Sequence, residues 1–299
     1  MGKTREIKKR IKSVNNISQV TNAMQLVAAS RMKKAQENAE KGKSYSEQIK
    51  QIMLKLSLNK TITDDPFIDP AYSQDAQADM IIVFSPQRGL AGALPSNLVR
   101  FATKFGNDIA SAGRAVQLVT VGQKIRQQLA NQPWEFVADF SDMPEQPTTA
   151  DMRPLIKLIR DSYVNREIHR AYLIYPGFIN ALTQIPTARL LLPLDLEGLE
   201  LSHETESLNT EMKSNSVYMF EPTREEIFEE LIPAYIETQL YQTRLETIAS
   251  EYSARMVAMK GATDNAKELK GDLTILYNKS RQAQITQEVA EINAVRSRN

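Results

Sequence analysis

The chain has 299 residues and ordinary apolar content, enough for one large or two smaller domains, and a formal net charge of +1, which argues against a general nucleic-acid binder. It contains no cysteine, so disulfides, thiolate metal sites and thiol redox control are excluded. No apolar run approaches the roughly 18 residues that a membrane-spanning helix needs, and Glu6 in a periodic N-terminal segment argues against a signal or transit peptide.

From Thr4 to about Leu58 the chain reads as one helix. Ile7, Ile11, Val14, Ile17, Met24, Val27 and Met32 recur at threes and fours, and no proline interrupts them. The first dozen residues set Lys3, Arg5, Lys8, Lys9, Arg10 and Lys12 against the single acid Glu6. This is a solvated helix face or a basic surface turned toward an acidic partner.

The periodicity then changes. Met80 to Phe84 reads as a strand, followed by a glycine-containing turn, a helix from about Ser96 to Ala112, a strand at Ala115 to Val121 and a helix at Gln123 to Ala130. Glu135 to Ala138 is a weak strand. Thr148 or Thr149 caps a helix reaching about Arg166, with Asp151 in its first turn. Arg170 to Tyr175, Thr187 to Leu194 and Ser216 to Phe220 are extended, and Glu197 to Asn215 is a polar loop or ragged hairpin. Such alternation predicts an α/β layer with a mostly parallel sheet.

Glu221-Pro222-Thr223-Arg224-Glu225-Glu226 opens the last helix, with proline near its start and acids in its first turn. Pro233 is expected to kink or split it. Farther along, Leu245, Ile248, Tyr252, Met256, Met259, Ala262, Ala266, Leu269, Leu273 and Leu276 alternate steps of three and four, the spacing of a coiled-coil seam. Extended from Pro222 to Val295, the helix spans roughly 70 residues and on the order of 100 Å. Such a length needs a partner helix or a surrounding protein, and the two terminal helices can pair antiparallel.

Candidate chemistry is thin. Arg88-Gly89-Leu90-Ala91-Gly92-Ala93 lacks the third glycine of a dinucleotide fingerprint and the Gly-Lys-Ser/Thr of a Walker loop, so a tight turn into a helix explains its glycines. His169 and His203 lack metal-site spacing. Glu225, Glu226, Glu229 and Glu230 suit a helix start better than paired-carboxylate catalysis. No cofactor, metal or catalytic residue is assigned. Residues 278–288 are instead unusually polar where a seam would continue, and Arg281 can fork onto a carboxylate. They form a solvent-facing helix end or a surface that docks against something polar.

Arg255-Met256-Val257-Ala258-Met259-Lys260-Gly261-Ala262-Thr263-Asp264-Asn265-Ala266 and Leu276-Tyr277-Asn278-Lys279-Ser280-Arg281-Gln282-Ala283-Gln284-Ile285-Thr286-Gln287-Glu288 resemble the C-terminal signature of the gamma subunit of F-type ATP synthase. Arg5 to Ile11, Thr21 to Met32 and Arg88 to Gly92 resemble the same family. The likeness covers essentially the whole chain. It departs at Asn22, where lysine is frequent, at Ser85-Pro86-Gln87, and at Asn293 to Asn299, which lacks the small-residue tail. The cysteine-bearing insertion of the chloroplast form is absent.

The resemblance implies a non-catalytic rotor: an antiparallel coiled coil of the terminal helices with an inserted Rossmann-like α/β domain. The expected division is residues 1–60, 75–215 and 216–299. The implied partners are the alpha and beta subunits of the catalytic ring, the epsilon subunit and the c-ring. Residue by residue, it implies that Arg281, Gln282 and Thr286 contact the beta catch loop. Met24 and Arg255 are implied as coupling positions on the stalk, and Tyr218 and Glu221 as c-ring contacts. The implied location is peripheral, on the cytoplasmic face of the bacterial inner membrane. Composition and seam alone leave two rivals, a coiled-coil tether with an inserted α/β domain and a nucleotide-binding α/β enzyme.

Overall fold

A computed structural model describes residues 2–57, 65–145, 147–194 and 223–296. Helix α1 (Gly2–Ser57) and helix α5 (Arg224–Arg296) contain 56 and 73 residues. At about 1.5 Å per residue they extend roughly 84 Å and 110 Å.

Between them lie β1 (Ala78–Phe84), α2 (Leu94–Ser111), β2 (Ala115–Val121), α3 (Arg126–Leu129), β3 (Glu135–Phe140), α4 (Thr149–Val164), β4 (Ile168–Phe178) and β5 (Gln184–Leu192). Among the described residues the strands form one sheet in the order β3-β2-β1-β4-β5. The first four are mutually parallel, and β5 pairs antiparallel with β4. The chain is thus an α/β fold with long helices.

The central strand is buried on both faces because its neighbours are helices on both sides. Met80, Ile82 and Phe84 point to one face, packing with Met152, Leu155 and Ile159 of α4, Ile232, Ile236 and Leu240 of α5, and Ile49 and Met53 of α1. Ile81 and Val83 point to the other, against Leu98 and Ala102 of α2. This alternation is the period of two that a pleated strand imposes. The same core therefore holds the sheet to the base of both long helices.

Side-chain bonds between α1 and α5 fix their antiparallel register. They run from Gln239 to Ser46 at 3.2 Å, through Gln242 to the Ala39 carbonyl at 2.9 Å and Thr21 to Thr263 at 2.7 Å, to Thr4 with Gln284 at 2.9 Å. Leu245, Ile248, Tyr252, Met259 and Ala266 of the expected seam are buried, whereas Leu269 and Leu276 are exposed.

The α1 face differs from the expected one. Ala28 is 1% exposed and Ala35 is also buried, while Met24 is 41% and Val27 55% exposed, with Ile17 outward as well. Ile7 and Met32 of the expected face do pack inward, but near Ala28 and Ala35 the small residues let the helix axes approach and Met24 and Val27 turn outward.

Two further expectations are corrected. Helix α3 spans only Arg126–Leu129, because Ile125 and Leu129 alone are drawn into the core and their neighbours are solvated. Of the kink or split expected at Pro233, the split is absent, because α5 continues through it; a single missing N–H removes one rung while Ile232 and Ile236 hold that turn in the core. The helix begins at Arg224, and the Glu226 amide donates to the Thr223 hydroxyl at 3.3 Å, so Thr223 serves as the cap and Pro222 precedes it. At α4, Thr148 donates through its N–H and hydroxyl to Asp151, at 2.7 and 2.8 Å. These bonds hold the Asp151 carboxyl below its usual range. The extended Ser216 to Phe220 and the polar Glu197 to Asn215 lie outside the described residues.

Candidate contact sites on the helical shaft

The turn after β1 is where the sheet meets the shaft. Leu90 and Gly92 both adopt left-handed backbone, φ 63° and 58°, and α2 begins two residues later. Glycine meets that requirement without strain at position 92, whereas Leu90 projects into solvent.

The turn's backbone faces α5. The N–H groups of Gln87 and Arg88 donate to the Glu251 carboxylate at 2.9 and 3.1 Å. Arg255, one helical turn farther, donates to Glu251 at 2.6 Å and to the Gly89 carbonyl at 3.1 and 3.2 Å. Glu251 and Arg255 are 5% and 9% exposed, so these are sheltered, charge-assisted bonds.

A second carboxylate extends the network to α1. Glu145 accepts from Arg31 at 3.0 Å and from Arg88 at 3.2 Å. Arg31 also donates to the Tyr252 hydroxyl at 2.8 Å, and the guanidinium groups of Arg31 and Arg255 lie 5.7 and 5.3 Å from the Tyr252 ring centre. Arg244 is fully buried beside these groups, with one bond to the Pro144 carbonyl at 3.3 Å. Burial pushes its guanidinium below the usual arginine range, opposed by the negative charges of Glu251 and Glu145.

Met24 and Arg255, expected as coupling positions, are brought to one groove of about 460 Å³ between α1, α5 and the turn. Val20, Val27 and Leu90 also line it. Arg31 and Arg88 add charge to this mostly apolar lining.

Arg281, Gln282 and Thr286 are exposed toward the far end of α5. Thr286 donates to the Gln282 carbonyl at 2.9 Å, which ties its hydroxyl to the same helix face. Thr4 anchors the neighbouring Gln284, so this part of α5 is braced by α1 while the residues beside it face outward. Tyr218 and Glu221 lie outside the described residues.

Glu251, Glu145 and Arg244 were not singled out from the sequence. For Arg244, Glu251 and Arg255 a signal existed: steps of seven and four put three charged residues on the rhythm of the apolar seam. Glu145, in a loop, had no such signal.

Among the described residues no group of three or more His, Cys, Asp and Glu side chains could hold a metal, and no helix is long and apolar enough to cross a membrane. His169 lies buried with its Nδ1 3.1 Å from the Ser73 carbonyl. His203 lies outside the described residues.

Fold and contacts together define a shaft protein: an antiparallel helix pair, held at its base to an α/β domain and bearing exposed polar and apolar residues along its length. Residues 3–295 match the family model described as ATP synthase. The ATP synthase gamma chain of a Roseiflexus species is 38% identical, covering 98% of this chain and 97% of the relative. That of Herpetosiphon aurantiacus is 38% identical, covering 98% of each. The fold is similar to a chain in the Euglena gracilis mitochondrial ATP synthase structure containing OSCP, F1 and c-ring, with TM-score 0.65, 16% identity, and coverage of 99% of this chain and 94% of that one. The chain belongs to the ATP synthase gamma-chain family.

Proposed function

We propose that this chain is the central-stalk rotor of F1Fo ATP synthase, a non-catalytic subunit that transmits torque between the proton-driven c-ring and the catalytic ring of alpha and beta subunits. The observation that carries the reading is the antiparallel bonding of α1 to α5 from Ser46–Gln239 to Thr4–Gln284, joined at its base to the sheet by one core. A single helix would twist under load; two bonded helices resist it. The exposed, polar far end suits a surface that turns inside a partner without settling into one deep energy minimum.

Within this reading residues 1–60 and 216–299 supply the shaft and residues 75–215 the α/β foot. Arg281, Gln282 and Thr286 engage the beta catch loop, a role supported by their exposure near the far end. Met24 and Arg255 act in coupling, supported by their common groove at the junction. Tyr218 and Glu221 meet the c-ring, on the strength of the family resemblance. Epsilon joins the foot, and the complex sits on the cytoplasmic face of a bacterial inner membrane.

Image reconstruction of the complex purified through this chain tests the proposal. A rotor appears as one copy inside a ring of three alpha and three beta subunits, with Arg281 against beta. A copy bound outside the ring, or held by one unrelated static partner, would instead support the tether.

A further inference from the structure

We infer that Glu251 is a carboxylate key seated in an anion-binding turn, and that this latch fixes the α/β domain to the shaft against rocking and twisting. The turn after β1 superficially resembles a phosphate loop. Its two successive amides, those of Gln87 and Arg88, converge on the two oxygens of one carboxylate at 2.9 and 3.1 Å. Consecutive backbone N–H groups aimed at one point make a local positive concavity suited to an oxyanion. Here the chain supplies the anion itself, from α5.

Arg255 completes the grip. It donates to Glu251 at 2.6 Å and to the Gly89 carbonyl at 3.1 Å, so two residues four apart on one helix hold both the donor and the acceptor side of the turn. Glu145 carries the connection onward, joining Arg88 of the turn to Arg31 of α1.

The location gives the latch its mechanical meaning. The sheet already packs on Ile236 and Leu240 of α5. Glu251 lies eleven residues beyond Leu240, about 16 Å farther along the helix axis. Ser250 and Ser253 of α5 hold the β4 side of the sheet, donating to the Pro176 and Ala181 carbonyls at 2.7 and 2.6 Å; Glu251 adds the anchor on the β1 side, and grips on two separate strands resist rocking better than a grip on one. Glu251 is thus a positioning residue; its role in torque transfer rests on the rotor reading above.

The latch itself is tested on the full chain by amide hydrogen exchange at Gln87 and Arg88. Glu251→Ala should lose protection at both amides, and added acetate, which refits the deleted carboxylate, should restore it where acetamide does not. Unchanged protection, or equal rescue by acetamide, would overturn the latch. Glu251→Gln is the isosteric control and should also lose protection at one or both amides; retained protection at both would overturn the latch even if the alanine variant failed to fold.

The mechanical role is read in the assembled complex, with the ring immobilised, turnover stalled and a probe on the α/β domain. Glu251→Ala should show wider angular fluctuation than the parent, narrowed by acetate and not by acetamide. Normal stiffness, despite lost amide protection, would overturn the mechanical role alone. Failure of the parent chain to assemble with the ring would instead overturn the rotor reading, leaving the exchange result to decide the latch.

Discussion

The hydroxyls of Thr21 and Thr263 meet at 2.7 Å across the helix pair, the Thr263 side buried. Each is also within bonding distance of its own helix's carbonyls, Ile17 at 3.0 Å and Met259 at 2.8 Å. With one hydrogen apiece, one hydroxyl bonds across the interface while the other bonds back along its helix. Thr21→Val or Thr263→Val alone removes the bond across the interface, while the remaining hydroxyl keeps its own helix's carbonyl, and each should cost about 1 kcal/mol. The double substitution should cost less than the sum, because both single variants lose the same cross-helix bond. Chemical denaturation of the four chains checks this; strict additivity would show that the pair is uncoupled.

Helix α2 packs Gly106 directly beneath the ring of Trp134, occupying the space a Cβ would need. Gly106→Ala should therefore displace the indole and cost about 1–3 kcal/mol through overpacking. Trp134 is the only tryptophan in the chain, so its emission reports the change without labelling. A red shift with a lower Tm is expected, and an unaltered spectrum would refute the packing argument.

His169 is held neutral. Burial depresses its pKa below 6.5, Arg114 and Arg170 push the same way, and the Ser73 carbonyl and Asp79 oppose them. The unfolded chain takes up this proton more readily, so folding stability falls as pH drops below 6.5 and through the lower folded value. Asp79 shifts oppositely, raised mainly by burial, so its contribution weakens as pH rises through its folded pKa. Subtracting a His169→Asn stability curve from the parent gives the histidine's contribution together with its coupling to Asp79, whose carboxyl His169 pulls downward. The parent should lose more stability than the variant on acidification across the histidine window. Parallel curves would contradict a depressed histidine.

Arg281→Ala with Gln282→Ala should leave folding within about 0.5 kcal/mol of the parent, as both side chains are exposed. In membranes the same variant should synthesise ATP more slowly despite normal assembly. Full synthesis by an assembled variant would remove these residues from the contact with beta.

Much of the architecture was legible because helix and strand periods differ so strongly. Strand β2 ends at the residues its apolar run marked, Ala115 and Val121. The shaft's inner face was harder to read. Apolar periodicity assumes that large hydrophobic residues turn inward, yet close helix packing reserves the inside of α1 for Ala28 and Ala35 and leaves Met24 and Val27 outside. The exposed stretch around Arg281 and Gln282 was recognisable as polarity interrupting a seam. The Glu251 latch was hidden because it joins a helix to backbone amides more than 160 positions away, and one-dimensional spacing does not encode such a meeting.

Beyond Ala266 the shaft presents Leu269, Ile275, Leu276, Ile285 and Val289 to water. These side chains are interspersed with charged and amide residues, so the tip stays wettable yet offers apolar footholds to whatever surrounds it.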